Sequence, residues 1–224
     1  QSTRSVSRMP PLATRGDTST SASRRVMKLA IVDSPDGLEE DTLVDLVTSL
    51  TTLGVDVALL PELPFGPWLA EADVFDRDRA VFSLTRHDQG LRALASTGAG
   101  IAFITSRPMS GGTRLFNTAV ILHPSGAVDS LHDKQVFSDT PGWHETTHNV
   151  PGPVRSGRLT VGRWRIATLL SAEAMFPELA RAHGRAGADL ILVPRASGAD
   201  VELWRISLRM AALASGSFVA SANK

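Results

Sequence analysis

The most constraining feature of this chain is an alternation that begins at Val26 and runs to its end. Short apolar stretches, too brief for helices, are followed by segments with helical spacing. "MKLAIVD" and "VDVALLPE" read as buried strands. Between them, "EEDTLVDLVTSLTTLG" places Leu43, Leu46, Val47, Leu50 and Leu53 at helical spacing and stops at Gly54. "DQGLRALASTGAG" predicts a second helix and "IAFITS" the strand after it. "TRLFNTAVILHPSGAVDSLHDKQVF" reads as a hairpin turning at Pro124-Ser125-Gly126. "GRLTVGRWRIATLLS" offers one or two further strands. "FPELARAHGRAG" is a helix with Pro177 in its first turn and Gly187 at its end. "ADLILVP", "VELWRISLRMAALASG" and "SFVASANK" continue the series as strand, helix and final strand. Strands alternating with helices, plus one hairpin, predict an α/β fold with a mixed sheet.

Composition narrows the function classes. Lysine plus arginine equals aspartate plus glutamate at 23 each, so net charge gives no reason to expect nucleic acid or an anionic membrane as partner. There is no Cys, which excludes disulfides, thiolate metal sites and a cysteine nucleophile. No apolar run has the length of a membrane span, since "VALLPELPFGPWLA" is broken by prolines, and a cytoplasmic location is expected. Residues 1–25 differ from the rest: rich in Ser, Thr and Arg, with Asp17 as the one acid. They predict a disordered extension preceding a folded unit at 26–224, with an organelle transit peptide as the lesser alternative.

Open α/β sheets carry reactive groups just beyond the carboxyl ends of their strands. That rule singles out Glu62, Lys134, Ser171 and the "PRAS" after Val193. A separate pattern, His144-Glu145-Thr146-Thr147-His148, matches the H-E-x-x-H of zinc hydrolases. That motif needs a helix to bring both imidazoles to one face. Here Pro141-Gly142 and Pro151-Gly152-Pro153 hem it in, and a third ligand, for which Glu173 or Glu178 would have to serve, is not obvious. The zinc site is a remote alternative, and loop histidines are the preferred reading.

Glu62, Lys134 and Ser171 each stand where an apolar strand runs out. A carboxylate, an ammonium and a hydroxyl so placed could serve as general base, charge stabiliser and nucleophile. Their surroundings resemble the nitrilase-type carbon–nitrogen hydrolases. The Glu in a P-E context, the Lys after an N-[ST]-A hairpin ("FNTAVILHPSGAV…DK"), "FPELAR" at Phe176–Arg181, "GADLILVP" and a Trp-bearing helix leading to Asn223 all follow that family's order. The resemblance spans about Lys28 to Lys224. It implies a four-layer α-β-β-α sandwich, pairing of copies through helical faces into dimers or higher oligomers, and amidase-type hydrolysis of a small-molecule amide with no metal or organic cofactor. It also implies that Glu62 acts as base, that Lys134 and the Ala172 N–H stabilise the oxyanion, and that Glu145 supports Lys134. Loops such as Phe65–Leu69 and residues 194–200 are expected to wall the pocket.

The chain departs from the family at three places. Position 171 is Ser where the family has Cys. A thiol ionises near ~8.5, whereas a hydroxyl is far less acidic and usually needs a His activator. Ser171 is therefore open to three readings: an engineered replacement, a natural loss in a non-catalytic binding subunit, or a slow serine hydrolase. The family continues beyond Asn223 with further strands, so the fold is expected to be C-terminally incomplete or completed by another chain. Glu173 stands where many members have Asp.

Overall fold

The computed structural model describes residues 26–34, 37–155, 157–198 and 201–224. The predicted extension, residues 1–25, lies outside the described residues, as do Ala199 and Asp200 of the predicted pocket loop. In chain order the elements are β1 (Leu29–Ile31), α1 (Glu40–Thr52), β2 (Val57–Leu59), α2 (Arg77–Ser96), β3 (Ala102–Ser110), β4 (Leu115–Leu122) and β5 (Val128–Asp133). Then come β6 (Asp139–Thr140), β7 (Trp143–His144), α3 (Glu145–His148), β8 (Arg158–Val161), β9 (Trp164–Thr168), α4 (Pro177–Arg185), β10 (Leu190–Arg195), α5 (Val201–Ser215) and β11 (Phe218–Asn223).

Two mixed sheets result. The first has the order β1-β2-β3-β4-β5, with β1, β2 and β3 parallel and the β4–β5 hairpin antiparallel at its edge. The second has the order β11-β10-β9-β8, with β11, β10 and β9 parallel and β8 antiparallel. β6 and β7 form a small separate ladder.

Strand periodicity explains the layering. Alternate residues of a strand point to opposite faces. On β2 and the residue after it, Ala58 and Leu60 face α1 and α2, where they meet Leu43, Leu50, Leu91 and Leu94. Val57 and Leu59 face the other sheet and pack with Ile166, Leu190 and Leu192. On β10, Leu190 and Leu192 share that inter-sheet core, while Ile191 and Val193 turn outward to Ala180 of α4 and Ala211 of α5. The order is helices, sheet, sheet, helices: four layers around three apolar clusters. Strands buried on both faces must be apolar throughout, and so they read as unbroken hydrophobic runs.

The structure differs from expectation at α2. The sequence predicts that helix from Asp88, yet it begins at Arg77. Asp76 caps it, its Oδ1 accepting from the amides of Asp78 (2.8 Å) and Arg79 (3.1 Å). The early turns bury Ala80, Ser83 and His87, small or polar residues that leave no apolar stripe to read. Among the described residues no helix is long and apolar enough to cross a membrane.

Candidate active site

Glu62 follows β2 and Pro61, and its surroundings fix it from both sheets. Its amide donates to the Arg195 carbonyl (3.3 Å), and its Oε2 accepts from the Ala196 amide (3.0 Å), both at the end of β10. Its Oε1 accepts from Asn117 Nδ2 on β4 (2.8 Å) and from Lys134 Nζ (2.9 Å). Leu63, the next residue, has φ +47, a left-handed conformation that a non-glycine residue adopts only under constraint. The Leu63 amide is held by Ser106 Oγ (3.1 Å).

Lys134 follows β5. Its amide donates to the Asn117 carbonyl (2.8 Å), so β4 positions both Lys134 and Glu62. Its ammonium lies between two carboxylates, Glu62 and Glu145. All three side chains are buried. Burial works to lower the Lys134 pKa, but the charges of Glu62 and Glu145 outweigh it and raise the value. Burial raises the Glu145 pKa; Lys134 opposes this and the Glu62 charge adds to it. Two acids facing one cation leave one surplus negative charge when all are ionised.

Glu145 comes from the H-E-x-x-H stretch, which forms one helical turn, α3. Its Oε2 accepts from the Ser138 amide (2.8 Å) while its Oε1 holds Lys134. The imidazoles go elsewhere: His148 Nε2 donates to the Ala72 carbonyl (2.8 Å), and His144 Nδ1 faces Asp139 at 3.9 Å. Among the described residues no group of three or more His, Asp and Glu side chains is placed to hold a metal ion. This corrects the zinc-hydrolase alternative: its glutamate is a lysine partner, and its two histidines do not converge.

Ser171 follows β9 through Leu169 and Leu170 and opens a 3₁₀ turn, Ser171–Met175. Its φ is +46. A side chain at a sharp, left-handed strand-to-helix turn is presented on the outside of the bend, and such strain is of the order of 1–3 kcal/mol. Ser171 Oγ donates to the Ala196 carbonyl (3.3 Å). Ser171 and Glu62 thus meet on opposite polar atoms of one residue, Ala196, with no direct hydrogen bond between them in this state.

A cavity of about 360 Å³ opens beside these groups, lined by Glu145, Ser171 and Ala172 with Trp143, Met175 and Trp204. Glu62 and Lys134 lie behind its wall and contact it through Ala196 and Glu145. The amides that open a helical turn have no intrahelical acceptor, so Ala172 N–H is a donor at this edge. The expected pocket loops divide. Ala196–Gly198 do line the cavity, whereas Phe65–Pro67 line a different hollow with Phe82 and Arg86. Trp68 stands one layer back, edge-on to Trp143 at 5.3 Å.

Sequence reasoning gave no role at this site to three buried residues, Asn117, His132 and Glu173. Asn117 was legible: it shares the inward face of β4 with Ala119 and Ile121, an amide in an otherwise apolar strand face. The other two, His132 and Glu173, bond to each other at 2.7 Å. Nothing local announces a pairing across 41 residues.

The profile of the carbon-nitrogen hydrolase family matches residues 39–224. Among solved structures, an amidase from Nesterenkonia sp. superposes with a TM-score of 0.70 at 26% identity, over 88% of this chain and 75% of that one. A variant of the Nesterenkonia sp. AN1 amidase in complex with butyramide gives 0.68 at 26%, over 88% and 76%. The carbon-nitrogen hydrolase of Helicobacter pylori G27 gives 0.71 at 18% identity, over 88% and 72%, which is likeness of fold. The comparison with curated protein sequences gave no match. The layered fold and the family profile agree over the same stretch of sequence: this chain belongs to the carbon-nitrogen hydrolase family.

Proposed function

We propose that this chain is an amidase-type hydrolase that cleaves small uncharged amides through an acyl-enzyme on Ser171. The observation that carries the reading is the buried Lys134 ammonium, held between Glu62 and Glu145 beside a cavity that Ser171 lines. In the proposed reaction Oγ leaves the Ala196 carbonyl and attacks the amide carbon, and its proton passes to Glu62. Lys134 and the Ala172 amide stabilise the oxyanion. Collapse breaks the C–N bond, and Glu62 returns the proton to the leaving ammonia. Water then hydrolyses the ester with Glu62 again as base. Glu145 keeps Lys134 aimed. Trp143, Met175, Leu203 and Trp204 present an apolar wall, which favours an uncharged acyl group. The butyramide complex of the Nesterenkonia amidase supports the same substrate class.

A second reading keeps the site but not the turnover: a binding subunit of the same fold. The hydrogen bond from Ser171 Oγ to Ala196, rather than to a base, favours it. That amidase carries an active-site cysteine, to which acrylamide adds, whereas position 171 here is a far less acidic serine. Ammonia release from butyramide separates the two. The amidase reading expects slow turnover by the wild-type chain, lost in Ser171→Ala and Glu62→Gln. Binding of butyramide without any ammonia from the wild-type chain supports the binding subunit.

We also propose that two copies pair through α5. Leu203, Ile206, Met210 and Leu213 recur at helical spacing along it, and all four are exposed.

A further inference from the structure

Two segments carry the proposed chemistry, the turn that bears Ser171 and the loop that bears Lys134, and one buried carboxylate joins them. Glu173 is fully buried and is not on the cavity wall. Its Oε2 accepts from the Leu170 amide (2.8 Å) and from His132 Nε2 (2.7 Å). Its Oε1 accepts from the Gln135 amide (2.7 Å). Leu170 immediately precedes Ser171, and Gln135 immediately follows Lys134. A carboxylate that only capped its own turn would need the Leu170 bond alone. The other two bonds cross 38 and 41 residues and fasten the strand-end segment of β5.

The chemistry of the carboxylate suits this clamp. Three donors converge on two oxygens, an arrangement only an acceptor-only group can satisfy. Burial pushes the Glu173 pKa up, but the His132 contact and the two amides outweigh it and bring the value below the usual range, so the group stays ionised. An apolar side chain of similar volume would fill the space without fixing either segment.

We propose that Glu173 is a positioning residue which, with His132 as its second arm, sets the register of the Ser171 turn against the Lys134 loop. This rests on the reading of Ser171 as nucleophile and Lys134 as oxyanion partner. Glu173→Gln keeps the volume but turns an NH₂ toward at least one N–H donor, so one bond must break. His132→Gln retains a donor near the place of Nε2, whereas His132→Ala does not.

The test uses the full chain, as wild type and in the Ser171→Cys background, with butyramide as substrate. In whichever turns over, Glu173→Gln is expected to lower kcat about 10²-fold with KM within about threefold, the scale of a small misplacement. His132→Gln should keep most of the activity that His132→Ala loses. An unchanged kcat overturns the proposal, and so does a loss that neither conservative change moderates and that a fall in Tm accounts for. If neither background releases ammonia, the amidase reading fails, and hydrogen exchange decides the clamp. Loss of protection at the Gln135 amide, alone or together with Leu170, in Glu173→Gln upholds it. Loss at Leu170 alone, or at neither, overturns it.

Discussion

Lys134 is the residue on which the site's electrostatics turn. It compensates two buried carboxylates, and removal of one partner from a buried charged group usually costs about 3–5 kcal/mol because the remaining charge is stranded. Lys134→Met should therefore destabilise the fold by about that amount at pH 7.5, measured by urea unfolding. The pH dependence has a definite sign. Glu145 already has a folded-state pKa above its ordinary value. Such a group favours the folded state below its unfolded pKa and loses that contribution as pH rises through the folded one. Without Lys134 the upward pull grows, so the deficit of Lys134→Met should narrow as pH falls from 7.5 toward 5. A deficit that is constant or widens would show that the carboxylates do not carry it. Glu62, Lys134 and Ser171 are legible in the sequence because each is a polar residue ending an apolar run. His132 and Glu173 take their meaning from partners 41 and 38 residues away, which only the folded chain supplies.

At the scale of elements, α2 and α3 show what periodicity captures and what it omits. The half of α2 that packs Leu91 and Leu94 is read correctly, while the half that buries Ser83 and His87 is not. His87 Nδ1 donates to the Ser83 carbonyl (2.7 Å) within that half. Burial lowers its pKa from 6.5 to about 4. The unfolded chain takes up this proton first as pH falls, so the folded state loses stability between about pH 6.5 and pH 4. The loss amounts to about 3 kcal/mol for a shift of this size. Urea unfolding of wild type and His87→Gln at pH 7.5 and pH 4 should show a smaller acid loss in the variant; equal losses would mean that His87 does not titrate as its burial requires. α3 is the opposite case. A five-residue pattern suggests a metal-binding helix, but flanking prolines leave room for one turn, and that turn presents Glu145 to Lys134.

The four-layer molecule follows from strands that are apolar on both faces and helices with one apolar stripe; the alternation alone predicts an α/β fold with a mixed sheet, and the four layers are implied by the family resemblance. Packing of the two sheets brings the ends of β2, β5, β9 and β10 together, which sets Ser171 and Ala196 on the cavity wall with Glu62 and Lys134 behind it. The outer face of α5 is a different matter: Met210 is 49% and Leu213 80% exposed, so their apolar side chains project from the surface. If two copies meet there, Met210→Glu with Leu213→Glu should convert a dimer to a monomer in sedimentation equilibrium, with Tm falling as the dimer is lost. A monomeric wild type would contradict the pairing.

The central claim is that the rest of the machinery around position 171 is assembled for amide hydrolysis. Ammonia release from butyramide by Ser171→Cys tests it most directly. A thiol ionises near ~8.5, within reach of a neighbouring carboxylate base. The expected result is a gain of at least about 10²-fold over wild type, abolished when Glu62→Gln or Lys134→Met is added. A Ser171→Cys protein that folds with an unchanged Tm and shows no gain would contradict it.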